Sequence, residues 1–380
     1  MKLLFDATGM ALSGYHKGGA YVYGLELLKN LRQLDDELGI ELFFNFTRGK
    51  HKPKMLETCD MTGIKQHSLT QFPPQLLRAL HIPTEWFAGK HDVLHGPFDL
   101  MAHTNKSARV VTIHDLAFLR APDGLPKEWI ADRQKLVPPS AQRAHRVITV
   151  SEFSKRDIVE NFQIDPERVQ TIYHGITPGL EPSADKQADR VRISERYGVS
   201  ENFVLYLGTL QPNKNIEGLC AAFQIMKKEG YAGKLILAGA QGWLFDEMWQ
   251  RICDRGHDLN VVLTGFVDRE DIPRLYGTCD AFALVSFLEG FGIPVIEAMA
   301  CGAPVVAADA CSLTEVTADA GLLVNPNDEQ QIADALLSLC NNSDLRQKMI
   351  ARGLAHAAKF TWRNTAAQHF EAYKIAMQQR

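Results

Sequence analysis

What this chain lacks narrows its reading first. Its seven cysteines, at positions 59, 220, 253, 279, 301, 311 and 340, form no C-x-x-C pair. Their number is odd and several lie in apolar runs, which argues against a disulfide framework. They read as small hydrophobic residues in a reduced, cytoplasmic interior. No apolar run reaches the roughly 18 residues that a membrane-spanning helix needs. The opening MKLLFDATGM meets Asp6 after a short apolar run and reads as a first β-strand, not a signal peptide. An excess of one charge is also missing. Lys and Arg number 41 against 45 Asp and Glu, a net charge of −4, so nothing biases the whole surface towards nucleic acid. The GxGxxG dinucleotide fingerprint is absent, which lowers the case for NAD, and no D-x-D metal signature marks a strand end.

What is present is an α/β pattern. With 380 residues, 46% hydrophobic and 23% charged, the chain has ample core for two or three domains. Near-continuous apolar runs read as parallel strands buried on both faces. A first set lies at 3–6, 41–46, 93–95, 109–113, 146–150 and 169–173, and a second at 203–207, 234–238, 261–264, 281–285, 304–307 and 322–324. Helical stripes lie between them: Val22, Leu25, Leu28 and Leu31; Ile216, Leu219, Phe223 and Met226; Ile332, Leu336 and Leu339. Two sets of about six strands imply two doubly wound, Rossmann-like domains, 1–176 and 199–361. The polar, proline-containing stretch 177–198 reads as the linker. The helical segment 362–380 is expected to pack back on the first domain. A cleft between two such domains, at the carboxyl ends of the strands, is the expected ligand site.

The most informative stretch is VSFLEGFGIPVIEAMACGAPVVAADA, residues 285–310. An apolar strand ends at Glu289, Gly290-Phe291-Gly292 make a loop, and Pro294 opens a helix that carries Glu297. Such a unit sets backbone N–H groups and a helix N-terminus against an anion, with two carboxylates eight residues apart. Other strand ends hold further candidates. The loop 9–19 closes on Gly18-Gly19, read either as a flexible surface loop or as a close approach to a ligand. His114-Asp115 follows the strand 109–113; a local backbone hydrogen bond and a proton-carrying role are both open to it. Ser151 and Ser154 read as caps of a following helix, and Asp268 as another. Gly208-Thr209 ends the first strand of the second set, and Lys214 stands at the turn into the next helix, where it can meet a phosphate as a point charge. Gly265-Phe266-Val267 offers a face to a base, or is a packed turn. Residues 72–90, with Leu80, Trp86, Phe87 and Lys90, form an amphipathic basic segment. It reads as a helix packed in its own domain, with docking on a membrane that carries a lipid-linked substrate as the alternative.

Together these residues resemble the retaining glycosyltransferases of family four, of GT-B architecture, over nearly the whole chain. The specific match is Glu289-Gly290-Phe291-Gly292-Ile293-Pro294 with Glu297, the family's E-x7-E motif. Gly18-Gly19, His114-Asp115, Ser151-Glu152-Phe153-Ser154, His174-Gly175 and Gly208-Thr209 to Lys214 support it. The resemblance implies that Lys214 binds the donor diphosphate, Glu297 the nucleotide ribose and Glu289 the transferred sugar. Backbone N–H groups at Phe291 and Gly292 would hold sugar or phosphate, His114 would lie beside the donor sugar, and Gly18 and Gly19 would approach the phosphates. Members often carry an Arg five residues before the Lys, or directly before it. Here those places hold Thr209 and Asn213.

The expected function is transfer of a hexose, mannose favoured, from a nucleotide diphosphate sugar to a glycan or lipid-linked glycan. Configuration would be retained and no metal or other cofactor needed. GDP-mannose is the expected donor, on overall similarity to bacterial O-antigen mannosyltransferases. The expected location is cytoplasmic, peripheral at the inner membrane face. A nucleotide-sugar 2-epimerase of the same architecture and a non-catalytic carbohydrate-binding subunit are the alternatives.

Overall fold

The computed structural model describes residues 1–12, 19–35, 37–45, 63–69, 80–200 and 202–380. The chain divides into two compact units. The first holds Met1–Leu116, Ala131–Gly175 and Thr361–Arg380, and the second Ala117–Ile130 and Ile176–Phe360.

The first unit is built on a seven-stranded parallel sheet of order β3-β2-β1-β4-β5-β6-β7. Its strands are β1 (Lys2–Asp6), β2 (Gly39–Asn45), β3 (Lys65–Leu69), β4 (Val93–Gly96), β5 (Ala108–Ile113), β6 (Arg146–Thr149) and β7 (Val169–Thr171). The second unit has a six-stranded parallel sheet of order β10-β9-β8-β11-β12-β13. Its strands are β8 (Phe203–Leu207), β9 (Lys234–Ala238), β10 (Val261–Gly265), β11 (Ala281–Leu284), β12 (Val305–Ala308) and β13 (Leu322–Val324). In each unit the chain lays strands outwards to one side of the first, then returns and continues on the other side. That is the doubly wound arrangement, with a switch point beside the first strand.

The cores follow the stripes. Ile216, Leu219, Phe223 and Met226 of the helix Ile216–Lys228 are all fully buried. Each such side chain contributes about 1.5–3 kcal/mol on leaving water. In the first unit, the helix Gly19–Leu34 shares one apolar cluster with the C-terminal helix Trp362–Gln378. The face that the C-terminal helix buries carries His369, Ala372, Tyr373 and Ala376, while Phe370 and Met377 pack at its margin. Gly175 lets this helix start against the chain, because a Cβ there would stand 2.2 Å from the backbone nitrogen of Trp362.

Several expectations need correction. Residues 177–198 are not a bare linker: they contain the helix Lys186–Tyr197, which counts with the second unit. Asp185 caps it by accepting from the N–H groups of Gln187 and Ala188, and Gly198 closes it in the left-handed conformation. Residues 117–130 also count with the second unit. Asp268 caps no helix. The helix Ile272–Thr278 starts at Asp271, whose buried carboxylate accepts from Arg192 (2.8 Å), Arg196 (2.9 Å) and Tyr197 (3.0 Å), while Asp268 pairs with Arg196 at the surface. One strand was not expected. β3, KQHSL, is a polar edge strand with one buried side chain, Leu69. Ser151 does cap the helix Glu152–Phe162, accepting from the N–H of Ser154 at 3.0 Å.

Candidate active site

In the second unit the expected donor residues gather at the carboxyl ends of adjacent strands. Lys214 follows β8 and Glu289 follows β11, the two strands on either side of the switch point. Their side chains meet: Lys214 Nζ donates to Glu289 Oε2 at 2.8 Å, with 18% and 13% of the two side chains exposed. A half-buried ammonium with one carboxylate partner can exchange that partner for a phosphate oxygen.

Local structure explains why Lys214 stands there. Pro212–Lys214 form one turn of 3-10 helix, and Asn215 adopts a left-handed conformation at φ 55°. The Asn215 side chain then does three things. Its Oδ1 caps the helix Ile216–Lys228 by accepting from the N–H of Gly218 at 3.2 Å. Its Nδ2 donates to the carbonyls of Val285 (3.1 Å) and Pro326 (2.7 Å). This nearly buried amide therefore ties the β8 loop to the end of β11, which sets the distance from lysine to glutamate.

Glu289 is fixed on every side. Ser286 Oγ donates to its Oε1 at 2.8 Å, Ser312 Oγ donates to its carbonyl at 2.9 Å, and its N–H donates to Cys311 Sγ at 3.1 Å. Gly290 and Phe291 are buried, and Gly292 leads the helix Ile293–Ala300 at φ 90°. A Cβ at Gly292 would lie 2.5 Å from Leu313 Cδ2, so both conformation and space favour glycine. Glu297 sits one turn into that helix. Burial raises its carboxyl to about 7, against the lowering effects of the Thr177 hydroxyl, which donates to Oε1 at 3.0 Å, and of the Arg269 charge. Gly208 lies at the end of β8, where its N–H donates to the Ala238 carbonyl at 2.9 Å. Its neighbour Thr209 is exposed, and the Thr209 carbonyl accepts from Tyr206 Oη at 2.9 Å. Phe266, past the end of β10, is 65% exposed.

Four participants were not singled out from sequence: Asn215, Ser286, Ser312 and Thr177. Arg269, the basic residue whose charge acts on Glu297, is a fifth. All five are ordinary polar residues, in loops or, for Ser312, in the helix Cys311–Thr317, and only their contacts distinguish them.

In the first unit, His114 follows β5. Its Nε2 donates to the Pro97 carbonyl at 3.0 Å, its backbone N–H donates to Asp99 Oδ1 at 3.3 Å, and Ser154 Oγ donates to its carbonyl at 3.2 Å. The ring packs edge-on to Tyr23 and stacks beside His174 at 5.8 Å. The local backbone hydrogen bond is thus present, and it leaves Nδ1 of the neutral ring as an acceptor. Gly19 is exposed at the start of its helix, whereas Gly18 lies outside the described residues. Of the segment 72–90, residues 72–79 also lie outside them; Leu80 and Trp86 are exposed. Among the described residues, no helix is long and apolar enough to cross a membrane.

A lysine–carboxylate pair at the switch point of a doubly wound unit, beside a glycine-led helix, suits an anionic nucleotide ligand. The comparisons agree. A family model described as "Glycosyltransferase Family 4" matches residues 17–180, and one described as "Glycosyl transferases group 1" matches residues 189–356. Solved structures align over nearly the whole chain. The Anabaena protein Alr3699/HepE in complex with UDP-glucose gives a TM-score of 0.74 at 24% identity, covering 98% of both chains. WaaG, a glycosyltransferase involved in lipopolysaccharide biosynthesis, gives 0.69 at 15% identity, covering 97% of this chain and 98% of its own. The fold is GT-B. The O-antigen chain mannosyltransferase B of Escherichia coli is 32% identical across 99% of this chain and 100% of its own length. A D-inositol 3-phosphate glycosyltransferase of Nocardia farcinica is 26% identical over 95% of this chain and 85% of its own. The chain belongs to the family 4, group 1 glycosyltransferases.

Proposed function

We propose that this enzyme transfers mannose from GDP-mannose to a hydroxyl of a growing, lipid-linked O-antigen-type glycan, with retention of anomeric configuration. The observation that carries the sugar is the full-length similarity to the E. coli O-antigen chain mannosyltransferase. The UDP-glucose complex of the Anabaena protein, at 24% identity, speaks for the shared fold and not for the base.

The chemistry must stabilise charge that develops on a departing nucleoside diphosphate. Lys214 supplies a positive charge at the switch point, and the N-terminus of the helix Ile293–Ala300 supplies oriented N–H groups. On this reading the diphosphate displaces Glu289 from Lys214. Glu289 then turns to the hydroxyls of the sugar, still held by Ser286. Phe291 and Gly292 N–H groups meet the sugar or phosphate, Glu297 accepts from the ribose, and Phe266 lies against the base. His114, Gly18 and Gly19 belong to the donor site on the family resemblance. With Thr209 and Asn213 at the arginine positions, the diphosphate relies more on Lys214 and the helix N-terminus. With lysine and helix dipole meeting the diphosphate, the reaction proceeds without a divalent metal. Glu289 positions the sugar and does not attack it, since a double displacement needs two carboxylates flanking the anomeric carbon. The leaving phosphate takes the acceptor proton on the same face. The enzyme works at the cytoplasmic side, where its acceptor lipid is presented.

The test is incubation of the purified enzyme with GDP-mannose, UDP-glucose and other donors, with and without membrane lipid acceptors, followed by mass spectrometry and NMR of the product. An acceptor-dependent α-mannoside, formed without added Mg²⁺ or Mn²⁺, is expected. Sugar altered without acceptor would assign an epimerase instead, and no donor consumption at all would assign a binding subunit.

A further inference from the structure

At the other end of the first sheet stands a cluster that glycosyl transfer does not use. Glu41 on β2, His67 on β3 and His91, two residues before β4, converge there. His67 Nε2 lies 2.5 Å and His91 Nε2 3.1 Å from the same oxygen, Glu41 Oε2. All the donor atoms lie within 4.8 Å of one another. The His91 side chain is 2% exposed, His67 13% and Glu41 18%. Glu41 lies in the first half of β2, His67 at the middle of β3 and His91 just before β4, whereas His114 follows the carboxyl end of β5.

The hydrogen-bond arithmetic is unusual. His91 Nδ1 lies 3.2 Å from the Gly89 carbonyl, which can only accept, so Nδ1 carries the proton. In the neutral ring Nε2 then presents a lone pair to a carboxylate oxygen. Two acceptors at 3.1 Å repel each other, so either a second ring proton or a metal cation must lie between them. An imidazole whose far N–H is held by a backbone carbonyl is also the usual arrangement of a metal-bound histidine.

We infer that Glu41, His67 and His91 form a binding site for a divalent transition-metal ion of the Zn²⁺ class, completed by water. Two imidazoles and one carboxylate suit such ions and not Mg²⁺ or Ca²⁺, which want oxygen ligands. Tetrahedral zinc ligands stand about 3.3 Å apart, so Glu41 and His67 need open by less than about 1 Å. Lys65, whose ammonium lies 3.3 Å from Glu41 Oε1, is 66% exposed on its side chain and free to swing into solvent when the ion arrives. The metal ties the polar edge strand β3 to β2 and to the segment leading into β4. Its role is to hold a strand that buries little apolar surface of its own, and it takes no part in transfer.

The experiment uses the full-length, tag-free protein. After stripping with a chelator, it is titrated with ZnCl₂ by calorimetry, and its melting temperature is followed. One equivalent bound, with a rise in melting temperature, is expected. His67→Ala and Glu41→Gln should each weaken binding at least tenfold. X-ray absorption on the wild-type zinc form should show nitrogen and oxygen ligands only, a readout that does not depend on how the variants fold. No zinc uptake, uptake undiminished in both variants, or sulfur in the ligand shell would each overturn the assignment.

Discussion

The C-terminal helix of the first unit carries a buried histidine whose titration should be visible in the protein's acid stability. His369 is fully buried, with Nε2 2.8 Å from Tyr23 Oη and Nδ1 2.8 Å from the Thr365 carbonyl. Tyr23 continues to Thr112 at 2.8 Å, Thr112 to His95 at 2.9 Å, and His95 to Tyr373 at 2.9 Å. The charged form of His369 is disfavoured first by burial and then by the nearby His114, which together outweigh the Thr365 hydrogen bond and bring it from 6.5 to about 4. His95 and His174, also buried, move the same way. The sign follows directly. As pH falls below 6.5, the unfolded chain takes up protons that the folded one refuses, so stability drops until about pH 4. At about 1.4 kcal/mol for each tenfold in proton affinity, the gap at His369 is worth about 3 kcal/mol. The assay is calorimetric unfolding from pH 7.5 to 4.5, with the tryptophan signal to follow Trp362, which packs beside His174 and Tyr23. His369→Phe should be less stable at pH 7, having lost two hydrogen bonds, but its stability should fall by about 2 kcal/mol less than the wild type's between pH 7 and 5. Parallel acid limbs for the two proteins would refute the assignment.

Other consequences are more local. Lys214→Ala should lower kcat by about 10²–10³, the usual cost of one donor to a developing anion, with the unfolding midpoint little changed; near-normal turnover would remove its role. Asn215→Ala should destabilise the second unit by about 2–4 kcal/mol, since it strips a helix cap and leaves the Val285 and Pro326 carbonyls without their donor, as denaturant titration would measure. Gly292→Ala should impair donor binding and stability together, because the added carbon meets Leu313 at a φ that side chains avoid. Glu297→Gln should abolish a titration near pH 7 in nucleotide affinity, read by calorimetry across pH 6–8, because the raised carboxyl of the wild type is the group that changes charge there.

Much of this was legible in the sequence for a simple reason. Strands such as β8, FVLYL, and β9, KLILA, are near-continuous apolar runs because both faces are covered, and only parallel sheets need that. The EGFGIP block was equally readable, since its glycines and proline are placed by backbone demands. β3 escaped notice because an edge strand buries little and KQHSL has no apolar alternation. The helix Lys186–Tyr197 looked like a linker because what holds it is ion pairs to Asp271, 79 and 75 residues from Arg192 and Arg196, and not an apolar stripe. The pairing of Lys214 with Glu289 was equally hidden. The two residues are brought together by strand order and by the Asn215 side chain, neither of which leaves a local pattern.

On the proposed function, the Lys214–Glu289 pair is the seat of a guanosine diphosphate group. Calorimetric titration of wild-type enzyme and Lys214→Ala with GDP, UDP, ADP and dTDP tests it directly. GDP should bind the wild type most tightly, and Lys214→Ala should lose at least tenfold of that affinity. Binding of UDP alone, or equal GDP affinity in the two proteins, would contradict it.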